Sequence, residues 1–145
     1  MIYISTGGFP EKKGSDIYKK LKENGFKNIE FSGGKFDNNL KKNIKNFKNV
    51  QFHNYFPPPK TPFVFNLSTT NKKLASKSIK FIKQNIRLSR LVGARYYSFH
   101  AGFRVDPKPN ELGKTIKETK MINLDIAKIN FFKRVKKLNS FAKKN

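Results

Sequence analysis

Cysteine and tryptophan are both missing from this 145-residue chain. Without cysteine there is no disulfide, no thiolate-held zinc and no thiol nucleophile. Acidic residues are scarce: 9 Asp and Glu stand against 32 Lys and Arg, a net charge of +23. None of them lies between Asp37 and Asp106. No run approaches the roughly 18 apolar residues that a membrane-spanning helix needs. The start, Met-Ile-Tyr-Ile-Ser, lacks the basic stretch that opens a signal peptide. The expectation is a cytoplasmic chain with no membrane partner.

What is present suits a folded domain. Apolar residues make up 37% and aromatics 14%, 15 of them Phe, too many for a disordered chain. The length is one domain at most, and long enough to bury a core. The positive charge invites a nucleic-acid reading, because clustered cations neutralise phosphates and release counterions. Yet 27 of the cations are Lys and only 5 are Arg, whereas bidentate phosphate recognition favours Arg. Lys, Asn, Ile and Phe supply 70 of the residues, and all four have A/T-rich codons. The charge therefore reads first as a solvated surface, and nucleic acid is the second choice of partner.

Along the chain the apolar period alternates between 2 and 3.6, the mark of βα units. Strands are predicted at 2–5, 28–31, 50–53 and 95–100. Between them, Ser15 caps a helix to Asn24 that Gly25 stops, and Asp37 caps a Lys/Asn-rich helix carrying Leu40, Ile44 and Phe47. Residues 54–59, with their three prolines, form a stiff loop. Phe63 to Leu67 reads as a short extended piece. Ser68 to Asn71 offer caps for a long helix to Val92, with the stripe Leu74, Ile79, Ile82, Ile86 and Leu91 and a stop at Gly93. A last helix is predicted over Ile116–Phe141, with Ile122, Ile126, Ile129, Val135 and Leu138 buried.

Four successive βα units imply parallel strands with helical crossovers. Aligned by phase, Ile2/Ile4, Ile29/Phe31, Val50/Phe52 and Tyr97/Phe99 share the face under the helices. The opposite phase ends in Ser5, Glu30, His53 and His100, each before a Gly- or Pro-containing loop. In a (β/α) barrel or an open parallel sheet, that end is the binding edge. The fold class is thus α/β, built of parallel (β/α) units. A whole barrel takes about 250 residues, so this chain supplies the first four units of a TIM barrel. It is expected to be a half barrel, or the front of an interrupted gene that stops before strand five.

His53 and His100 are the only histidines. At strand ends they suit acid/base work or metal ligation, or simply order a loop. Glu30 is the only acid predicted to point into the same pocket, and serves as a base, a ligand, an acceptor for a sugar hydroxyl, or a solvated carboxylate. Asp106, after strand four, could swing over that pocket. Gly7-Gly8 and Gly33-Gly34 allow close approach of an anion but are equally ordinary turns. No Ser-His-Asp arrangement can be drawn.

The stretch FHNYFPPPKTPFVFNLST, followed by ASKSIKFIKQNIRLSRLVGARYYSFHAGF, resembles the xylose-isomerase-like TIM-barrel superfamily. IYISTGGF at 2–9 and IEFSGG at 29–34 look closest to its sugar phosphate isomerase/epimerase branch. The resemblance covers the chain to about Asp106. It implies a metal-dependent enzyme that moves a proton next to a carbonyl of a sugar or sugar phosphate. Glu30 would be catalytic. Ser5, Glu30, His53 and His100 would hold substrate, and His53 and His100 would bind a divalent metal (Zn, Mn or Mg) in the intact barrel. This chain alone is expected to lack the second-half ligands, to bind no metal by itself and to be inactive. Two alternatives stand beside this. One is an endonuclease IV-like AP endonuclease, against which Ser5 and Thr6 replace the expected first-strand histidine. The other is a non-catalytic half barrel that pairs with a second copy or another chain.

Overall fold

A computed structural model describes residues 2–9, 13–116 and 121–144. The chain divides into two compact units, one of residues 1–60 and 85–99, the other of residues 61–84 and 100–145.

The first unit holds a four-stranded parallel sheet: β1 (Ile4–Ser5), β2 (Ile29–Ser32), β3 (Val50–His53) and β4 (Tyr97–Ser98), in that spatial order. Strands laid side by side in sequence order, with helices between them, are the α/β arrangement that the pattern predicts. The register aligns Ile4, Ile29 and Val50 in one row and Phe31, Phe52 and Tyr97 in another. Those rows face the core, where Ile29, Phe31 and Phe52 are fully buried. The strands at the edges are shorter than predicted. Ile2 lies outside β1 and is 83% exposed, so it is no part of the core face.

The helix α1 (Gly14–Glu23) buries Ile17 and Leu21. Its first turn closes on the Lys13 carbonyl, which accepts from the Asp16 and Ile17 amides, so Ser15 is inside the helix and does not cap it. The other end is a Schellman closure, with Phe26 N donating to Leu21 O and Gly25 N to Lys22 O. Residue 14 must be glycine for a steric reason: a Cβ there would lie 2.6 Å from Phe56 Cε2 and 3.2 Å from Phe31 Cε1. Those two rings stack at 4.2 Å, and Phe47 and Phe52 complete the cluster. The Lys/Asn-rich segment forms only one α-helical turn, α2 (Leu40–Asn43), and a 3-10 turn to Asn46. Asparagine competes for its own backbone and shortens the helix. Leu40, Ile44 and Phe47 are nonetheless buried as predicted.

The helix α3 (Lys72–Leu91) is capped by the Asn71 side chain, which accepts from Leu74 N, and ends where Ala94 N donates to Ser89 O and Gly93 N to Arg90 O. Ile82 is fully buried, but Leu91 is 56% exposed. The buried face also takes in Ser78, Asn85 and Ser89. Each finds hydrogen bonds there: Ser78 with Leu74 O, Ser89 with Asn85 O, and Asn85 with the Tyr97 hydroxyl.

In the second unit, residues 63–66 form no strand and Leu67 falls in a bend, while Val64, Phe65 and Leu67 are buried. The helix α4 (Leu124–Lys144) begins eight residues later than predicted, and residues 117–120 lie outside the described residues. Ile122 is tied to Arg104 instead: its amide donates to Arg104 O at 2.7 Å and its carbonyl accepts from Arg104 Nε at 2.9 Å. Asn123 then caps the helix through the Asp125 and Ile126 amides. The predicted apolar face holds at Leu138 but not at its isoleucines in the helix. Ile126 and Ile129 are 48% and 65% exposed, and Ala127 and Leu138 are buried. The inward stripe of α4 is Ala127, Asn130, Arg134 and Leu138, at helical spacing. Asn130 and Arg134 reach backbone carbonyls of residues 67–69, and that rotates the isoleucines outward.

Candidate functional site

Two rows of polar side chains end the sheet of the first unit. Ser5, Glu30 and Gln51 align across β1, β2 and β3. One layer further on, Ser32, His53 and Ser98 align across β2, β3 and β4. Alternation puts both rows on the face opposite the Phe31–Phe52 core. Ser5, Glu30 and His53 therefore share the face that their phase predicts.

Each is shaped by its neighbours. The Ser5 hydroxyl accepts from the Gly7 amide at 3.4 Å and so caps the 3-10 turn Thr6–Gly8. Thr6 is buried, and its hydroxyl accepts from Ser32 N at 2.9 Å, joining the ends of β1 and β2. Ser5 and Ser32 both present hydroxyls beside Gly7, where a Cβ would lie 3.4 Å from Ser32 Oγ and 3.6 Å from Ser5 Oγ. His53 Nδ1 is 2.9 Å from Ser98 Oγ. The chain then turns at Asn54, which takes a left-handed φ of 53°, and its Oδ1 is buried without a hydrogen-bond partner among the described residues. The Tyr97 hydroxyl donates to the Asn54 carbonyl. Burial pushes the Tyr97 phenol well above its ordinary range, against a lowering hydrogen bond from Asn85.

His100 is placed differently from the prediction. The strand β4 stops at Ser98, because its partner β3 stops at His53 and the ladder has nothing further to pair with. His100 lies two residues past the strand, exposed, in the second unit.

Sequence reasoning missed the polar centre of that second unit. Asn66 is fully buried. Its Nδ2 donates to Phe103 O and Val105 O at 2.9 Å and to Asp106 Oδ1 at 2.8 Å. Its Oδ1 accepts from Ser68 N and Phe103 N. Gly102 is required beside it, with φ at +122° and a would-be Cβ only 2.8 Å from Asn66 Oδ1. The Thr69 hydroxyl donates to Asp106 Oδ2 at 2.6 Å. Both oxygens of Asp106 are thus engaged, and the carboxylate is pinned in the second unit rather than swinging over a pocket. Arg134 Nη1 donates to Leu67 O at 2.6 Å and Thr69 O at 2.8 Å; burial lowers its pKa and the Asp106 charge opposes that. A readable signal existed in Asn66-Leu67-Ser68-Thr69-Thr70-Asn71, since Asn and Thr accepting amides two residues on are turn-formers.

Among the described residues, no three His, Cys, Asp or Glu gather closely enough to hold a metal ion. The described side chains do not by themselves make up the metal site that the resemblance implies. No helix among them is long and apolar enough to cross a membrane.

No protein-family model matches the chain, and no curated protein matches it at a significant level. Among solved structures, the fold is similar to that of a protein from Anabaena variabilis ATCC 29413 assigned as a sugar phosphate isomerase/epimerase, with a TM-score of 0.58 at 14% identity. The superposition covers 97% of this chain and 50% of that one. The chain therefore spans about half the length of its structural neighbour, and the likeness establishes the fold.

Proposed function

We propose that this chain supplies the first half of a sugar or sugar phosphate isomerase/epimerase barrel, working in the cytoplasm. The observation that carries the reading is the pair of aligned rows, Ser5–Glu30–Gln51 and Ser32–His53–Ser98, at the C-terminal edge of a parallel sheet in barrel order. Hydroxyls, an amide, an imidazole and one carboxylate are the groups that a polyhydroxy substrate calls for, each able to donate to or accept from a sugar oxygen.

In this reading Glu30 is the general base. It removes the proton from the carbon next to the substrate carbonyl and, in isomerisation, returns it to the carbonyl carbon on the same face, whereas epimerisation takes a second acid on the opposite face to deliver the new proton. The positioned neighbours supply orientation, and orientation is a large share of such a barrier. Ser5 and His53 hold substrate oxygens. A divalent ion would polarise those oxygens in the whole barrel. His53 would be the first unit's imidazole for it, and no step here depends on the ion.

Titration of xylose, ribose phosphate and ribulose phosphate into isotope-labelled protein tests the reading by NMR. Shifts centred on Ser5, Glu30 and His53, reduced at least about tenfold in affinity by Glu30→Gln, a loss of ~1.4 kcal/mol, are expected. Sugars that leave those resonances unmoved would remove the proposal.

A further inference from the structure

Within the first unit, charge is laid out along the strands. Lys27, Lys48 and Arg95 are exposed and stand two residues ahead of β2, β3 and β4. The strands themselves and the loops that leave them are different. Residues 2–9, 28–34, 49–59 and 96–99 contain no Lys or Arg, in a chain that holds 32. The nearest cation to follow a strand is Lys35, exposed beyond Gly33 and Gly34.

With histidine neutral, the one charged side chain in those stretches is Glu30. Its carboxylate has no ion pair and no hydrogen bond among the described residues. Cations outnumber acids by more than three to one, yet none of those described pairs with this one. Around it, Ser5, Ser32 and Ser98 bring hydroxyls and Gln51 an amide, in the two aligned rows. Such groups match sugar hydroxyls as donors and acceptors. A phosphate ester is a different ligand. It carries about −1.5 to −2 charges at neutral pH, and its recognition draws on Arg or Lys. Beside Glu30 it would meet a like charge.

We infer that this edge selects the uncharged, hydroxyl-bearing part of a sugar and excludes phosphate, with Glu30 setting the preference. The inference rests on the sugar reading above and narrows it, because that reading admits both the free sugar and its phosphate.

The test is a site-resolved NMR titration at a pH of about 8, where an ordinary imidazole is neutral. Salt at about 0.15 M screens the distant lysines. Ribose should move the resonances of Ser5, Glu30, Ser32 and His53. Ribose phosphate should bind there at least about threefold more weakly. Inorganic phosphate should leave the edge unmoved, Gly33 and Gly34 included. Glu30→Gln should bring the two sugars to within about twofold of each other, however much it weakens both. Three results overturn the inference and keep the sugar reading: ribose phosphate binding the edge as tightly as ribose, inorganic phosphate displacing ribose, or a preference that Glu30→Gln leaves intact. An edge that neither sugar moves removes both.

Discussion

The Asn66 amide donates to the Asp106 carboxylate at 2.8 Å across 40 residues of chain, and every hydrogen-bonding direction of that amide is used within the second unit. Its donors go to Phe103, Val105 and Asp106, and its acceptor serves Ser68 and Phe103. One buried side chain thereby fixes the segment that follows β4. Replacing Asn66 with Leu keeps the volume and strands these groups without water, at about 1–3 kcal/mol for each buried group left unpaired. The expected total is several kcal/mol, read as a lower urea midpoint. A midpoint unchanged within error would show that the segment is held by other contacts.

Gly14→Ala adds a single methyl group, but it adds it against Phe56 Cε2 at 2.6 Å, with Phe31 packed behind. Neither ring has room to retreat, since both are almost wholly buried. Overpacking of this kind costs about 1–3 kcal/mol, which outweighs the gain of up to about 1 kcal/mol that alanine brings to a helix. Thermal unfolding should show a net loss; a raised melting temperature would mean the rings can shift.

Tyr97 gives the chain an alkaline weakness. Burial holds its phenol proton more tightly in the folded state than in the unfolded one. Stability is therefore untouched below a pH of about 10, the ordinary phenol value. Above it, each further pH unit removes up to about 1.4 kcal/mol, because the unfolded chain ionises first. Tyr97→Phe should flatten that decline while losing roughly 1 kcal/mol at neutral pH with the bond to Asn54. Urea unfolding on both sides of the phenol range checks this, and parallel curves for the two proteins would count against it.

Arg134 spans from α4 to two carbonyls, Leu67 O and Thr69 O, with one nitrogen. Arg134→Met keeps much of the packing, takes the Arg134 donor from Leu67 O and leaves Thr69 O with the longer bond from Asn130 Nδ2 at 3.3 Å, for an expected loss of about 1–3 kcal/mol. Arg134→Lys should recover part of it, because an ammonium keeps the charge but not the forked geometry. Equal stability of the Met and Lys variants would show that packing, and not donation, is what Arg134 contributes.

Much of the architecture follows from local pattern. Alternating apolar phases put Ile29, Phe31, Val50 and Phe52 in the core, and the same phases put Ser5, Glu30 and His53 on the opposite face of the sheet. Gly25 and Gly93 mark helix ends because the closing turn is a local event. What the sequence by itself determined is the set of features with a period or a cap to betray them. The tertiary structure alone decided the rest. Asn66, Thr69 and Ser78 are buried because donors and acceptors come to them from elsewhere in the chain, Phe103 and Asp106 among them. Ile126 and Ile129 are exposed because Asn130 and Arg134 claim the inner face of α4 for carbonyls about sixty residues away. His100 falls outside its strand because β3 ends at His53. A side chain's burial depends on partners that hydropathy does not record, so a polar residue whose hydrogen bonds are met inside costs little there.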